Sequence, residues 1–246
     1  MTYIPCLLIP IYNHHKFIEQ TLINLLPYKQ RIILIDDGSN EECRMLLEKL
    51  TKKEDAIHLL RLKKNKGKGA AVTAGLKEAF EKGFTHALQI DADGQHDFHD
   101  VPRFLEYAKS HPDTIVSGYP IYDKSIPKIR LYGRYITHFW VCIETLSCDI
   151  KDSMCGFRMY PLIPTINLLK KAAIGQRMDF DTDILVQLYW QCVPIHFIET
   201  QVIYPLDGLS HFHSIKDNLR ITRMHTFLFL GMLKRFPSLL KRKLYK

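Results

Sequence analysis

Three observations predict an α/β domain with a mostly parallel central sheet flanked by helices. Short apolar runs alternate with segments of helical periodicity through the first half of the chain. The runs are continuously apolar, as expected of strands covered on both faces. The first four of them end in polar tips, "PIYN", "DDGS", "NKGKG" and "DADGQH". In parallel sheets the carboxyl ends of the strands lie on one edge, and ligands bind there.

In order, "CLLIPIY" (6–12) reads as the first strand, followed by a helix through "FIEQTLINLL" that stops at Pro27. "RIILIDDGS" is a second strand. "EECRMLLEKL" follows as a helix, with Cys43, Leu46, Leu47 and Leu50 at helical spacing. "IHLLRL" is a third strand, "GAAVTAGLKEAFEKG" a helix closed by Gly83, and "HALQIDADG" a fourth strand. Beyond residue 115 the alternation weakens. "TIVSGYP" reads as a strand, "IRLYGRYITHFWVCIETL" as a long amphipathic helix, "DILVQLYWQC" as another helix, and "PIHFIETQVIYP" as extended chain. A last helix begins at Ser214 with a capping box, Ser214 and Asp217, and enters a basic tail divided by Pro237. The predicted organisation is a domain over 1–213 and a basic, amphipathic helical tail over 214–246.

At 246 residues, 46% hydrophobic and 24% charged, the chain can bury a substantial core. Six cysteines without a CxxC pair suggest reduced core thiols and a cytoplasmic setting. The N-terminal run reads as a strand and not a leader. No apolar window approaches the roughly 20 residues of a spanning helix. The net charge is +8, and from Asn218 to Lys246 there are eight Lys or Arg and no acid. Such a segment calls for an anionic partner, and no nucleic-acid reading motif accompanies it.

Within "LQIDADGQHD" (88–97), Asp91 and Asp93 terminate a buried strand, Gly94 permits a tight bend, and Gln95 adds a neutral oxygen. Oxygen-only ligation by few protein groups suits Mg2+ or Mn2+ completed by phosphate and water. His96 and Asp97 read as a cap for the next helix. "NKGKGAAVTAG" (65–75) places glycines and lysines where a helix begins, a position that favours phosphate. It is neither a Walker A loop nor a GxGxxG fingerprint, which argues against an ATPase or a dehydrogenase.

Taken as an ordered set, "PIYN", "IDDGS", "NKGKGAA" and "DADGQH" resemble family 2 glycosyltransferases of the GT-A fold. The closest resemblance is to the branch of dolichyl-phosphate mannose synthase and bacterial polyprenyl-phosphate glycosyltransferases. "DSMCGFRMYP" (152–161) resembles that branch's GFR segment, and the resemblance covers roughly residues 4–205. It implies a UDP- or GDP-sugar donor held by Pro10, Tyr12, Asn13, Asp37, Gly67, Lys68, Gly69, Asp91 and Ala92. It implies Mg2+ or Mn2+ on Asp91, Asp93 and Gln95, with His211 or His213 as a late ligand or a contact to the diphosphate, and inversion at the anomeric carbon. Asp93 counts among the catalytic residues on this reading. The acceptor phosphate would be met by Arg130 and Arg134, four apart on one helix, and by Arg158. Arginine's planar donor fork suits phosphate.

A phosphate acceptor with a second pKa of about 6 is already nucleophilic at neutral pH and needs no strong base. If the acceptor is instead a glycolipid hydroxyl, Asp181 or Asp183 in "DFDTD" would take its proton. The chain departs from the polyprenyl-phosphate pattern at "GLSHFHSIKDNLRI" and has no QxxRW, which argues against a polymerase. A sugar nucleotidyltransferase shares the architecture but would carry a Gly-rich loop after the first strand. A noncatalytic nucleotide-binding scaffold is the remaining class. The tail, 224–246, predicts salt-sensitive binding to an anionic membrane, with each Lys or Arg near the surface contributing on the order of 1 kcal/mol. The expected location is cytoplasmic, peripheral on the inner face of the membrane.

Overall fold

In the computed structural model, which describes residues 2–122, 126, 128–202 and 214–244, seven strands form one sheet. They are β1 (Pro5–Ile11), β2 (Arg31–Asp36), β3 (Ile57–Arg61), β4 (His86–Gln89), β5 (Ile115–Tyr122), β6 (Arg158–Pro161) and β7 (Ile195–Val202), in the spatial order β3-β2-β1-β4-β6-β5-β7. β1 pairs in parallel with both β2 and β4, and β2 with β3. The polar tips after these four strands therefore open on one edge, as the apolar runs predict. β6 is antiparallel to both β4 and β5, and β5 and β7 are again parallel.

The helices are α1 (His15–Leu25), α2 (Glu41–Lys53), α3 (Lys68–Glu81), α4 (Val101–Ser110), α5 (Lys128–Thr145), α6 (Leu162–Lys171), α7 (Phe180–Trp190) and α8 (Ser214–Leu244). β1 shows why its sequence lacks alternation. Leu7, Ile9 and Ile11 enter a core with α1, α2 and α4, whereas Cys6 and Leu8 enter a second core with α3, α6 and α7. Successive side chains point to opposite faces, and here both faces are covered. The sheet with helices on each side is thus held by two separate cores.

Two expectations are corrected and two elements are added. β4 ends at Gln89 and not at the aspartates, so Asp91 and Asp93 lie in the loop that leaves the sheet. β6, which begins with the arginine of the GFR segment, and α6 after it carried no expectation, because a four-residue strand beginning with arginine has no readable period. α8 passes continuously through Pro237 and is not divided by it. Contacts on both sides of the proline hold the helix: Arg235 lies 4.6 Å from the Trp190 ring centre, and Arg242 donates to the Tyr189 carbonyl at 2.8 Å. At the start of α8, Asp217 is buried and paired with Arg220 at 2.8 Å, while the side chain of Ser214 lies outside the described residues.

Candidate active site

The site is assembled where the tips of β1 to β4 meet the loop before β6 and the start of α7. Asp37, directly after β2, is buried. Its carboxylate accepts from Asn65 Nδ2 at 2.9 Å, Lys66 N at 2.8 Å and Gly67 N at 2.7 Å. Burial raises its pKa, and the two backbone N–H groups pull it back. Asp37 thus shapes the turn into α3. Asn13, in the left-handed region at φ 58°, joins the first two tips: its N–H donates to Ser39 Oγ at 3.0 Å, and its side-chain oxygen accepts from Asn40 N at 2.9 Å.

Gly67 has φ +104°, and a Cβ there would run into Arg177 and the Gln176 carbonyl. Only glycine lets this turn lie against the 175–177 loop. The turn aims Lys68, the first residue of α3, between two carboxylates: Nζ donates to Asp91 Oδ2 at 2.8 Å and to Asp181 Oδ2 at 2.9 Å. Burial would push the lysine down, but the two aspartates prevail and raise it. Burial would likewise raise Asp91, yet the Lys68 ammonium holds its carboxyl well below the usual range. Asp93 is shifted upward, by burial first and then by the charge of Asp91.

These residues fit a divalent cation. Asp91 Oδ1 is buried without a hydrogen-bond partner, and Asp93 and Gln95 continue the same loop, with Gln95 N donating to Asp93 Oδ1 at 3.1 Å. Among the described residues no three His, Cys, Asp or Glu side chains form a cage. Few protein ligands, with phosphate and water completing the shell, is the arrangement Mg2+ and Mn2+ use with nucleotides. His211 and His213 lie outside the described residues.

Asp97 does cap, accepting from His99 N at 3.0 Å, but His96 does not. Its ring packs 5.1 Å from Phe157, its Nε2 stands 3.6 Å from Asp91 Oδ2, and both ring nitrogens are buried without a hydrogen-bond partner. Sequence reasoning also missed Gly156. A Cβ there would collide with the Asp91 carboxylate and lie 2.7 Å from Lys68 Nζ, so the loop before β6 closes directly over this ion pair. The GFR segment was the only signal for it.

Arg158 does not face an acceptor. It is fully buried, and all five of its N–H groups are used inside the protein. They reach Ser117 Oγ at 3.2 Å, Tyr160 Oη at 3.4 Å, and the carbonyls of Asp181 at 2.7 Å and of Ser153 and Cys155 at 3.1 Å each. It fastens the glycine loop to α7. Arg134 makes a bidentate pair with Asp152, at 2.9–3.1 Å, and Asp152 in turn accepts from Met154 N and Cys155 N. The side chain of Arg130 lies outside the described residues.

The two aspartates that open α7 are separated by their surroundings. Asp181 faces Lys68 and accepts from Gln89 Nε2 at 3.2 Å. Asp183 turns away from that group; its oxygens take Gly175 N at 2.8 Å and Gln187 Nε2 at 2.7 Å, and burial raises its pKa. Pro10 and Tyr12 occupy the β1 tip, part-exposed, while Ala92 is buried. Gly69 packs against Phe180 and Gly175.

A parallel-strand edge with an acidic loop after β4, a glycine turn opening a helix and a lysine joining the two defines a ligand site at the carboxyl edge of an α/β sheet. Comparison with known proteins makes the assignment specific: residues 6–175 match the model for glycosyl transferase family 2, and the chain belongs to that family. The Dictyostelium discoideum dolichyl-phosphate beta-glucosyltransferase is 30% identical over 196 residues, which is 73% of this chain and 57% of that protein. The chain thus spans little more than half the length of that relative. The Methanococcus voltae UDP-N-acetylglucosamine–dolichyl-phosphate N-acetylglucosaminyltransferase is 31% identical over 63% of this chain and 68% of its own length. The fold matches that of Mycobacterium tuberculosis glucosyl-3-phosphoglycerate synthase, crystallised with Mn2+, UDP and glucosyl-3-phosphoglycerate. The TM-score is 0.66 at 12% identity, over 94% of this chain and 80% of that one. The fold is GT-A.

Proposed function

We propose that the protein transfers one sugar from a UDP- or GDP-sugar to a polyprenyl-phosphate or other lipid-linked acceptor at a membrane surface, with inversion. The observation that carries this reading is the Asp91–Lys68–Asp181 group at the strand tips, closed over by Gly156. Asp91, Asp93 and Gln95 would hold Mg2+ or Mn2+, which when bound offsets negative charge on the departing nucleoside diphosphate. Lys68 keeps Asp91 ionised and oriented. Pro10, Tyr12 and Asn13 border the nucleotide at the β1 tip, and Asp37 sets the Gly67–Gly69 turn against which the donor lies.

Two observations support a phosphate acceptor over a hydroxyl. Both candidate bases are engaged: the Asp181 oxygens by Lys68 and Gln89, the Asp183 oxygens by Gly175 and Gln187. A phosphate nucleophile needs neither. The two relatives above are both named for transfer to dolichyl phosphate. Arg130 on α5 is the proposed contact for that phosphate, and Arg134, bidentately paired with Asp152, would set the loop beside it. The basic segment 224–246 would hold the protein peripherally on an anionic, cytoplasm-facing membrane. Among the described residues no helix is long and apolar enough to cross one.

The test is calorimetric titration of the full chain with UDP- and GDP-sugars, with Mn2+ or Mg2+ and again with EDTA. Positive donors are then assayed with a polyprenyl phosphate and with a glycolipid hydroxyl acceptor. Metal-dependent donor binding that Asp93→Asn abolishes, followed by transfer to the phosphate, is expected. Transfer only to the hydroxyl acceptor, lost in Asp181→Asn, would replace the acceptor assignment. No donor binding with either metal would remove the proposal.

A further inference from the structure

The amphipathic pattern of α8 is matched by a second, unexplained surface on α5. Tyr132, Tyr135, Ile136 and Phe139 stand at i, i+3, i+4 and i+7 and are 60–64% exposed. On α8, Phe227, Leu230, Leu233 and Phe236 are exposed in a stripe of three-residue steps. Met224, Leu228 and Met232, on the other side of α8, are buried in the protein. The two helices are joined side by side. Trp140 meets Phe229 edge-on at 6.3 Å, and His225 Nδ1 lies 2.8 Å from the buried Glu144 Oε1.

The charges on these helices are as one-sided as the apolar residues. α5 contains one carboxylate, Glu144, and α8 contains one, Asp217; they are 0% and 3% exposed. Among the described residues the outer surface of both helices thus carries aromatic, aliphatic, neutral polar and cationic groups, with Lys128, Arg223, Lys234, Lys241 and Lys243 exposed and no acid among them. Large aromatic side chains with basic neighbours suit the boundary between headgroups and acyl chains. A second copy of the chain would cover the same aromatics but would set cation against cation.

We infer that α5 and α8 form one two-helix platform that lies in the interface of an anionic bilayer, with Tyr132, Tyr135, Ile136 and Phe139 inserted. The inference rests on the membrane-surface reading above and extends it from the tail to the body of the domain. It also links the membrane to the site. α5 carries Arg134, whose bidentate pair with Asp152 holds the loop ending in Gly156. A lipid acceptor in the same interface would therefore present its phosphate beside the donor loop, with no movement out of the bilayer.

The experiment is sedimentation of the full chain with vesicles of phosphatidylcholine and phosphatidylglycerol in equal parts. The wild type is compared with Tyr135→Ser/Phe139→Ser on α5 and Phe227→Ser/Leu230→Ser on α8. Each pair is expected to weaken partitioning about tenfold or more, from the apolar area kept out of lipid, with donor binding unchanged. If only the α8 pair weakens binding, the platform is wrong and the tail reading survives. If the wild type does not bind, both are wrong. If the α5 pair converts a dimer to a monomer and leaves vesicle binding intact, the surface belongs to a second copy and the platform is wrong. Should the α5 variant fail to fold, Trp140 in the wild type decides: acyl-brominated lipid should quench emission that Trp140→Phe lacks. Absence of quenching in the vesicle-bound protein would overturn the inference.

Discussion

Arg158→Lys tests whether this arginine is an internal fastener and not an acceptor contact. Lysine preserves the charge but replaces a fork of five N–H donors with three donors on one atom. At least two of the five acceptors, which are Ser117 Oγ, Tyr160 Oη and the carbonyls of Ser153, Cys155 and Asp181, lose their partner in a fully buried setting. Each buried group left unpaired costs about 1–3 kcal/mol, so the loss is about 2–6 kcal/mol. For a chain of this size each kcal/mol lowers Tm by about 2–4 °C, which places the variant at least about 4 °C below the wild type. Urea and thermal unfolding followed by circular dichroism measure it. Activity should fall for every donor and acceptor alike, because the Gly156 loop and Asp181 shift together. A variant as stable as the wild type, with only its acceptor KM raised, would refute the reasoning and return Arg158 to the acceptor.

Three further outcomes follow from the same geometry. Gly156→Ala should destabilise the chain by about 1–3 kcal/mol through overpacking and weaken donor binding, since the new methyl group meets Asp91 and Lys68; calorimetry showing wild-type affinity would contradict the close approach. Lys68→Met leaves the buried Asp181 and the part-buried Asp91 carboxylates without their shared cation and should cost up to about 3–5 kcal/mol at neutral pH, read from urea denaturation; an unchanged midpoint would show that the pair is not held as described. Burial raises the Glu144 carboxyl, against the opposing pull of His225, with Asp183 adding to the rise. The folded state therefore binds the Glu144 proton more readily than the unfolded state. Relative to Glu144→Gln, wild-type stability should be greatest below the ordinary glutamate value of about 4.3 and decline as pH rises from there to the raised value. A stability difference that grows with pH would contradict that sign.

How much was legible follows from what each signal depends on. β1, β2 and α2 were readable because an apolar run with both faces covered, or a helix with one buried stripe, writes its period into the chain. The aspartates after β4 and the turn at Gly67 were readable because oxygen ligands and a helix start need particular residue types close together in sequence. β6 was not legible: its four residues begin with an arginine whose partners lie on β5, on α7 and in the loop before the strand. Neither were Gly156 and His96, whose importance comes from contacts with Asp91 made across loops.

By itself, then, the sequence determined the parallel half of the sheet, the edge on which its tips open and the family to which the ordered motifs point. Local periodicity and residue chemistry suffice for these. Only the tertiary structure decided that Asp181 and not Asp183 joins Lys68, that Arg158 is spent inside the protein, and that α5 and α8 lie side by side with their acids buried. Those facts depend on which distant segments meet, and burial with hydrogen-bond pairing, not residue type, selects among side chains that look equivalent along the chain.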